Sequence, residues 1–203
     1  MLFNPAQEDF NALDPRSREI MRKTIEFFES KGKHRLKEDD HQRVWCSDFF
    51  DFVKDNRIFS TLLTPPEYAI DDPEARWDTN RNCALNEILG FYGLSYWYAW
   101  QVSILGLGPL WMAEGQAIKE RTARALRDGG IFGFGLSEKA HGADLYSSEM
   151  MLTPMPDGSF MADGGKYYIG NGNVAALLSV FGKDSDTGDY VFFAVETDHP
   201  NYE

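Results

Sequence analysis

Apolar and polar positions along this 203-residue chain follow two different periods. In the first two-thirds, apolar residues recur every third or fourth position, the spacing of one helix face. Asp14-Pro15 supplies a capping side chain followed by a residue whose missing N–H costs nothing in a first turn. Ile20, Thr24, Phe27 and Phe28 keep helical spacing up to Gly32, which reads as the stop. Residues 31–43 are highly charged and read as a solvated connection. Val44, Trp45, Phe49, Phe52 and Val53 mark a second amphipathic helix that ends near Asp55-Asn56. Pro65-Pro66 forbids helix locally and opens a loop predicted to reach about Thr79. Residues 85–105 are apolar and aromatic all round, which predicts a helix buried among others and broken by Gly106, Gly108 and Pro109. A charged helix over 114–127 is closed by Gly129-Gly130.

After Gly130 the pattern shortens to β segments at 131–136, 149–153, 159–162, 166–169, 177–181 and 190–195. Asp157-Gly158 and Asp163-Gly164 are hairpin-turn signals, since both residue types tolerate positive φ. The predicted fold class is therefore α+β: an N-terminal all-α helical bundle over 1–129, then an incomplete antiparallel β-barrel-like domain over 130–203.

Composition narrows the function classes. Aromatics make up 14% of the chain, with five Trp and fifteen Phe, which argues against intrinsic disorder. A net charge of -12 argues against a nucleic-acid surface, because phosphate binding needs clustered Lys and Arg. Cys46 and Cys83 are too few and too far apart for a disulfide framework and read as buried thiols in a reducing cytoplasm. His34, His41, His141 and His199 show no metal-ligand spacing beyond a loose pair, so no metal is expected. No secretory signal and no membrane-length apolar run is evident, and a cytoplasmic protein is the default.

Candidate chemistry concentrates in residues 134–144, FGFGLSEKAHGAD from Phe132 onward. A strand ending near Ser137 offers free main-chain groups, and small residues at 140, 142 and 143 let a ligand approach the backbone. A planar hydrogen-bonding ring or a pyrophosphate suits such a place. Beyond two turn signals lies Lys166-Tyr167-Tyr168-Ile169-Gly170-Asn171-Gly172. Elsewhere bland readings prevail: the aromatic run 91–100 reads as bundle core, Asp39-Asp40 and Asp71-Asp72 as solvated loops, and His141 as a surface residue in a turn.

Together the two segments resemble the signature of the acyl-CoA dehydrogenases. There the first reads aromatic-x-aliphatic-Thr-Glu-Pro-x-x-Gly-Ser-Asp and the second Lys-x-Trp-Ile-Thr-Asn-Gly. The helical N-terminal part and the switch to β structure near Gly130 agree with that family, so the resemblance covers nearly the whole chain. It implies FAD as cofactor, with Phe134, Leu136, Ser137, Gly142, Ala143, Tyr168, Ile169 and Gly170 as cofactor-binding positions. Ala143 is also implied as a substrate contact. Tyr168 stands for a Trp that covers the flavin, and it keeps an aromatic face for stacking. Ala143 stands for a serine and offers a ligand only its N–H. Gly170 stands for a threonine and Lys139 for a proline. Glu138 and Asp144 match as well and are assigned loop-stabilising roles.

The activity implied is oxidation of acyl-CoA thioesters to trans-2-enoyl-CoA in fatty-acid β-oxidation, a carboxylate taking the α-proton while the flavin takes the β-hydride. That carboxylate comes from a C-terminal helical domain in the family, so no catalytic residue is expected in this chain. The chain reads as an N-terminal portion that is inactive alone and has little flavin affinity. Implied partners are an acyl-CoA, an electron-transfer protein or oxygen as acceptor, and further copies of the parent in a homo-oligomer. An acyl-CoA oxidase, or a non-redox acyl-CoA-binding or interaction module on the same scaffold, are the alternative readings.

Overall fold

A computed structural model of the chain describes residues 4–202. Its residues fall into two compact units, one running up to Gln101 and including Lys119–Gly130, the other formed by Val102–Ile118 and the chain from Ile131 onward.

The first unit is all helical. Helix α1 spans Pro15–Lys31. The carboxylate of Asp14 accepts hydrogen bonds from Ser17 N at 3.0 Å and from the Ser17 hydroxyl at 2.5 Å, satisfying donors that the first turn leaves open. Gly32, at φ 76°, ends the helix. The chain then restarts at once as α2, Lys33–Gln42, where a solvated connection is expected. Arg35 to Asp39, at 2.8 Å, supplies an i,i+4 ion pair that supports an otherwise polar helix. Asp39 is accordingly buried, not solvated, and it also pairs with Lys31 at 3.0 Å.

Helix α3, Ser47–Asp55, ends at Asn56 as the pattern predicts. Helix α4, Ile58–Leu63, is unannounced: all six residues are buried, so its apolar run has no period to read. Helices α5, Thr79–Tyr92, and α6, Leu94–Met112, replace the expected single helix, with the break at Gly93. Gly106, Gly108 and Pro109 lie within α6 instead of ending it. Helix α7 spans Gln116–Arg127, and Gly129 follows at φ 87°.

Phe28 centres this unit's core, stacked on Tyr92 (ring centroids 4.7 Å, 13°) and meeting Tyr96 edge-on at 4.9 Å. Tyr96, Ala99 and Trp100 are buried as expected, whereas Phe91, Leu94 and Tyr98 of the same run are exposed. Cys46 is buried and Cys83 is exposed, so the reading of both thiols as buried holds only for the first.

The second unit carries an open, mixed five-stranded sheet: β1 Phe132–Gly135, β2 Met151–Pro154, β3 Phe160–Asp163, β4 Leu177–Asp184 and β5 Tyr190–Glu196. Strand β4 pairs in parallel with β1 and with β2, and antiparallel with β5, so the expected all-antiparallel pairing applies only to β4–β5 and β2–β3. Asp157-Gly158 does turn the β2–β3 hairpin, with Gly158 at φ 83°. Asp163-Gly164 does not: the chain leaves the sheet there, and 166–169 is loop instead of strand.

One sheet face packs Met150, Ala175, Leu178 and Val180 against Ile169, Phe193, Val195 and Tyr202. Alternation along β4 and β5 sends Phe181 and Phe192 to the other face. There the rings of Phe134, Phe192, Phe181, Tyr190 and Tyr146 follow one another with centroids 5.6, 5.2, 5.6 and 5.3 Å apart.

Residues 102–112 of α6 lie close on β1. A Cβ built on Gly106 would stand 2.5 Å from Gly133 O, and Gly106 O accepts from the Ser179 hydroxyl at 2.5 Å. Gly106→Ala should therefore lower stability by about 1–3 kcal/mol through overpacking against backbone. Gly108, with nothing within 4 Å of its built Cβ, should tolerate alanine and gain up to about 1 kcal/mol of helix propensity. Urea midpoints of the two variants check the opposite signs.

The outer edge of β5 has no ladder partner among the described residues, and its Tyr190 and Phe192 are exposed. Such an edge favours pairing between chains. Sedimentation velocity should show a mass that rises with concentration, and Ala194→Lys should reduce the rise.

Candidate functional site

The candidate site is built at the end of β1. Phe134, half-buried, lies in the strand and stacks on Phe192 (22°). Leu136 and Ser137 continue from the strand end, both half-buried. The second motif returns beside them: Tyr167 N donates to Ser137 O at 2.8 Å. Two segments about thirty residues apart in sequence thus form one continuous surface.

Glu138 holds the first segment in place. Its Oε1 accepts from Lys166 Nζ at 2.7 Å, from the Ser148 hydroxyl at 2.5 Å and from Met150 N at 3.2 Å, while Oε2 accepts from Glu149 N at 2.8 Å. Lys166 Nζ also donates to Leu136 O at 3.0 Å and to the Ser148 hydroxyl at 3.2 Å, which uses all three of its N–H groups. Burial pushes the Glu138 carboxyl up, but the Glu149 amide, the Lys166 ammonium, the Ser148 hydroxyl and the Met150 amide together hold it down, at about 2.

Gly142 and Ala143 are exposed in the following loop. Asp144 orders that loop: it accepts from Gly142 N at 3.0 Å and faces His141 Nδ1 at 2.9 Å. The His141 hydrogen bond holds the Asp144 carboxyl below its ordinary value, and the same contact raises the imidazole. His141, Glu138 and Glu149 could bring three ligand atoms within 4.8 Å of one another. Glu138 is already committed to Lys166 and Ser148, so this trio is not a vacant chelate.

In the second segment Tyr168 stands 85% exposed at φ 58°, its ring edge-on to Tyr167 at 4.3 Å. A tyrosine that projects into solvent gains nothing from burial, and its open face is available for stacking. Ile169 turns its side chain into the core beside Leu178 and Val180, which leaves its main chain for any ligand. Gly170 O lies 3.1 Å from a Cβ built on Gly133, so β1 and this loop meet backbone to backbone.

Two residues of the second motif do work that their types alone did not announce. Lys166 ties three segments together. Asn171, buried at φ 60°, donates from Nδ2 to Phe132 O at 3.0 Å and to the Ser103 hydroxyl at 3.4 Å. Asparagine's tolerance of positive φ was the available signal for the second, and the opposite charges of Glu138 and Lys166 for the first.

A helical unit and an open mixed sheet, with this wall at the end of β1, define the fold as that of the N-terminal half of the acyl-CoA dehydrogenases. The chain is 24% identical over 199 residues to the short-chain-specific acyl-CoA dehydrogenase of Megasphaera elsdenii, covering 96% of this chain and 51% of that one. The structure of butyryl-CoA dehydrogenase from Megasphaera elsdenii matches with a TM-score of 0.80 at 23% identity, over 95% of this chain and 51% of that one. Glutaryl-CoA dehydrogenase from Mycobacterium smegmatis, solved in complex with FADH2, matches with a TM-score of 0.76 at 18% identity, over 98% and 50%. The chain spans about half the length of these relatives. No protein-family model matches it.

The depressed carboxyl of Glu138 makes the wall sensitive to acid. A group whose folded pKa lies below its unfolded value stabilises the fold above the unfolded value and loses that contribution as pH falls through the folded one. Between its ordinary 4.5 and about 2, the wall should progressively lose stability. Near-UV circular dichroism of the tyrosines should follow this loss, and Glu138→Gln should reduce the pH dependence in that window.

Proposed function

We propose that this chain is the N-terminal part of a flavin-dependent acyl-CoA dehydrogenase that oxidises acyl-CoA thioesters to trans-2-enoyl-CoA in fatty-acid β-oxidation. The observation that carries the reading is the joining of the two motif segments into one surface through Tyr167 N and Ser137 O. Similarity to acyl-CoA dehydrogenases over nearly the whole chain supports it.

The residues present fit FAD. Tyr168 offers an exposed ring face for the isoalloxazine, and Phe134, Leu136 and Ser137 offer an apolar flank with main-chain groups and a hydroxyl. Gly142 and Ala143 leave room for close approach of a pyrophosphate or an acyl-CoA to the backbone. Ile169 and Gly170 contribute main-chain groups beside Tyr168. When bound, the flavin accepts the hydride from the substrate's β-carbon. This chain's residues bind and orient, and shield one face of the ring from water.

No group in the wall suits the role of base. A carboxyl held at about 2 is a weak proton acceptor at neutral pH, and Glu138 is buried with both oxygens already accepting hydrogen bonds from protein donors. Asp144 is occupied by His141 and Gly142 N. The proton-abstracting carboxylate is therefore assigned to the half of the enzyme that this chain does not match in its relatives. With this reading go an acyl-CoA substrate, an electron-transfer protein or oxygen as acceptor, a homo-oligomeric parent and a cytoplasmic location. No helix among the described residues is long and apolar enough to cross a membrane.

The chain alone should leave purification without the visible absorbance of oxidised flavin and without activity. The intact parent should carry that absorbance and bleach when acyl-CoA is added without oxygen. A colourless parent would overturn the flavin reading. Stoichiometric flavin on the chain alone would overturn the claim that its half-pocket is insufficient.

A further inference from the structure

Lys166 and Glu138 are the most deeply buried charged pair in the wall, with side chains 7% and 6% exposed. Taking both charges out of water is costly, and an apolar pair of the same volume often serves stability as well. The pair's worth therefore lies in what its hydrogen bonds place. The Lys166 ammonium holds Leu136 O; its carboxylate partner holds the amides of Glu149 and Met150; Ser148 bridges the two charges. One residue beyond Lys166, Tyr167 N is bonded to Ser137 O, and Tyr168 follows with its exposed ring. The stem of Lys166 crosses the strand end where β1 has no side chain, its Cγ lying 3.6 Å from a Cβ built on Gly135.

The geometry points to Lys166 and Glu138 as a positioning pair: they set the Leu136–Ser137 main chain and the Tyr167–Gly170 loop in one register, so that the ligand-facing wall is assembled before ligand arrives. The inference rests on the flavin and acyl-CoA reading above. The three Lys166 N–H groups and both Glu138 oxygens are engaged by protein groups. Preorganisation of this kind acts on affinity by removing the ordering that binding would otherwise have to impose on two loops.

The test is amide hydrogen exchange, read residue by residue by NMR on the full chain, with FAD titrated to millimolar concentration as the probe. In Glu138→Gln the Tyr167, Glu149 and Met150 amides should exchange about tenfold faster or more, the scale expected for loss of a charge-assisted hydrogen bond. The β4 amides of Leu178–Val180 should keep their protection. The double variant Glu138→Leu with Lys166→Met should recover most of the wild-type urea midpoint, yet leave Tyr167 exchange fast. That split separates placement from mere stability. If Tyr167 protection is unchanged in Glu138→Gln, or if protection falls uniformly through the sheet, the positioning role is overturned. Recovery of Tyr167 protection in the apolar double variant overturns it equally.

In the FAD arm, Ser137, Gly142 and Tyr168 amides should shift in the wild-type chain, and the apparent affinity should fall about tenfold in both variants. Equal affinity in wild type and variants overturns the positioning role. Absence of FAD-dependent shifts in the wild type matches the little flavin affinity expected of the chain alone and leaves the flavin reading to the parent's absorbance, and the exchange data then decide the pair on their own.

Discussion

A lysine ammonium removed from water must find acceptors for three N–H groups, and Lys166 finds them on three different segments. The Leu136 carbonyl belongs to the end of β1, Glu138 to the loop that follows, and Ser148 to the approach to β2. The rest of the wall is placed relative to that one nitrogen. An ion pair this buried tolerates little misalignment, because a charge left without its partner there is far costlier than a surface charge. The constraint passes directly into the loops that present Tyr168, Gly142 and Ala143, which by themselves have few buried contacts to hold them. Function, on the proposed reading, depends on rigid presentation of flexible-looking chain.

Behind the wall, polar staples of a second kind join β1 and β4 to the latter half of α6, and β1 to the second motif. Ser103, Asn171 and Ser179 are all buried, and each spends its hydrogen bonds across elements: Ser103 with Phe132 N, Asn171 with Phe132 O, Ser179 with Gly106 O. These contacts are possible because Gly106 and Gly133 have no side chains to hold helix and strand apart. The row of aromatic rings from Phe134 to Tyr146 lies on the sheet face that Ser179 shares with Phe181, and the cluster of Met150, Leu178 and Val180 lies on the other, so the sheet is supported from both sides. Supports of this kind fix the position of a strand end, and with it the direction in which its free main-chain groups point.

Much of this organisation can be read from the chain alone. Asp14-Pro15 and Gly32 mark the ends of α1, Asp157-Gly158 turns a hairpin, and the shift from helical to alternating periodicity falls where helices give way to strands. The two motif segments stand out by residue type and spacing, and their adjacency in space follows from the family they resemble. What could not be read has a common cause. Helix α4 is too short and too uniformly apolar to show a period. Helix α2 looks like loop until its Arg35–Asp39 pair and its contact with Lys31 are seen. Glycines at 106 and 108 look like breakers because nothing local reveals that one of them is needed for close packing.

Sequence by itself therefore determined the fold class, while the two motif segments were singled out by their resemblance to a family. The fold class could be read because it depends on interactions within a few positions of one another: caps, turns, face periodicity. Only the tertiary structure decided that β4 pairs in parallel with two strands, that Ile169 turns inward while Tyr168 turns out, and that Lys166 reaches back to Leu136 and Glu138. Each of those outcomes is settled by hydrogen bonds and packing between residues about thirty or more apart, or by the burial that such contacts create, and no local pattern encodes which distant partner will be there.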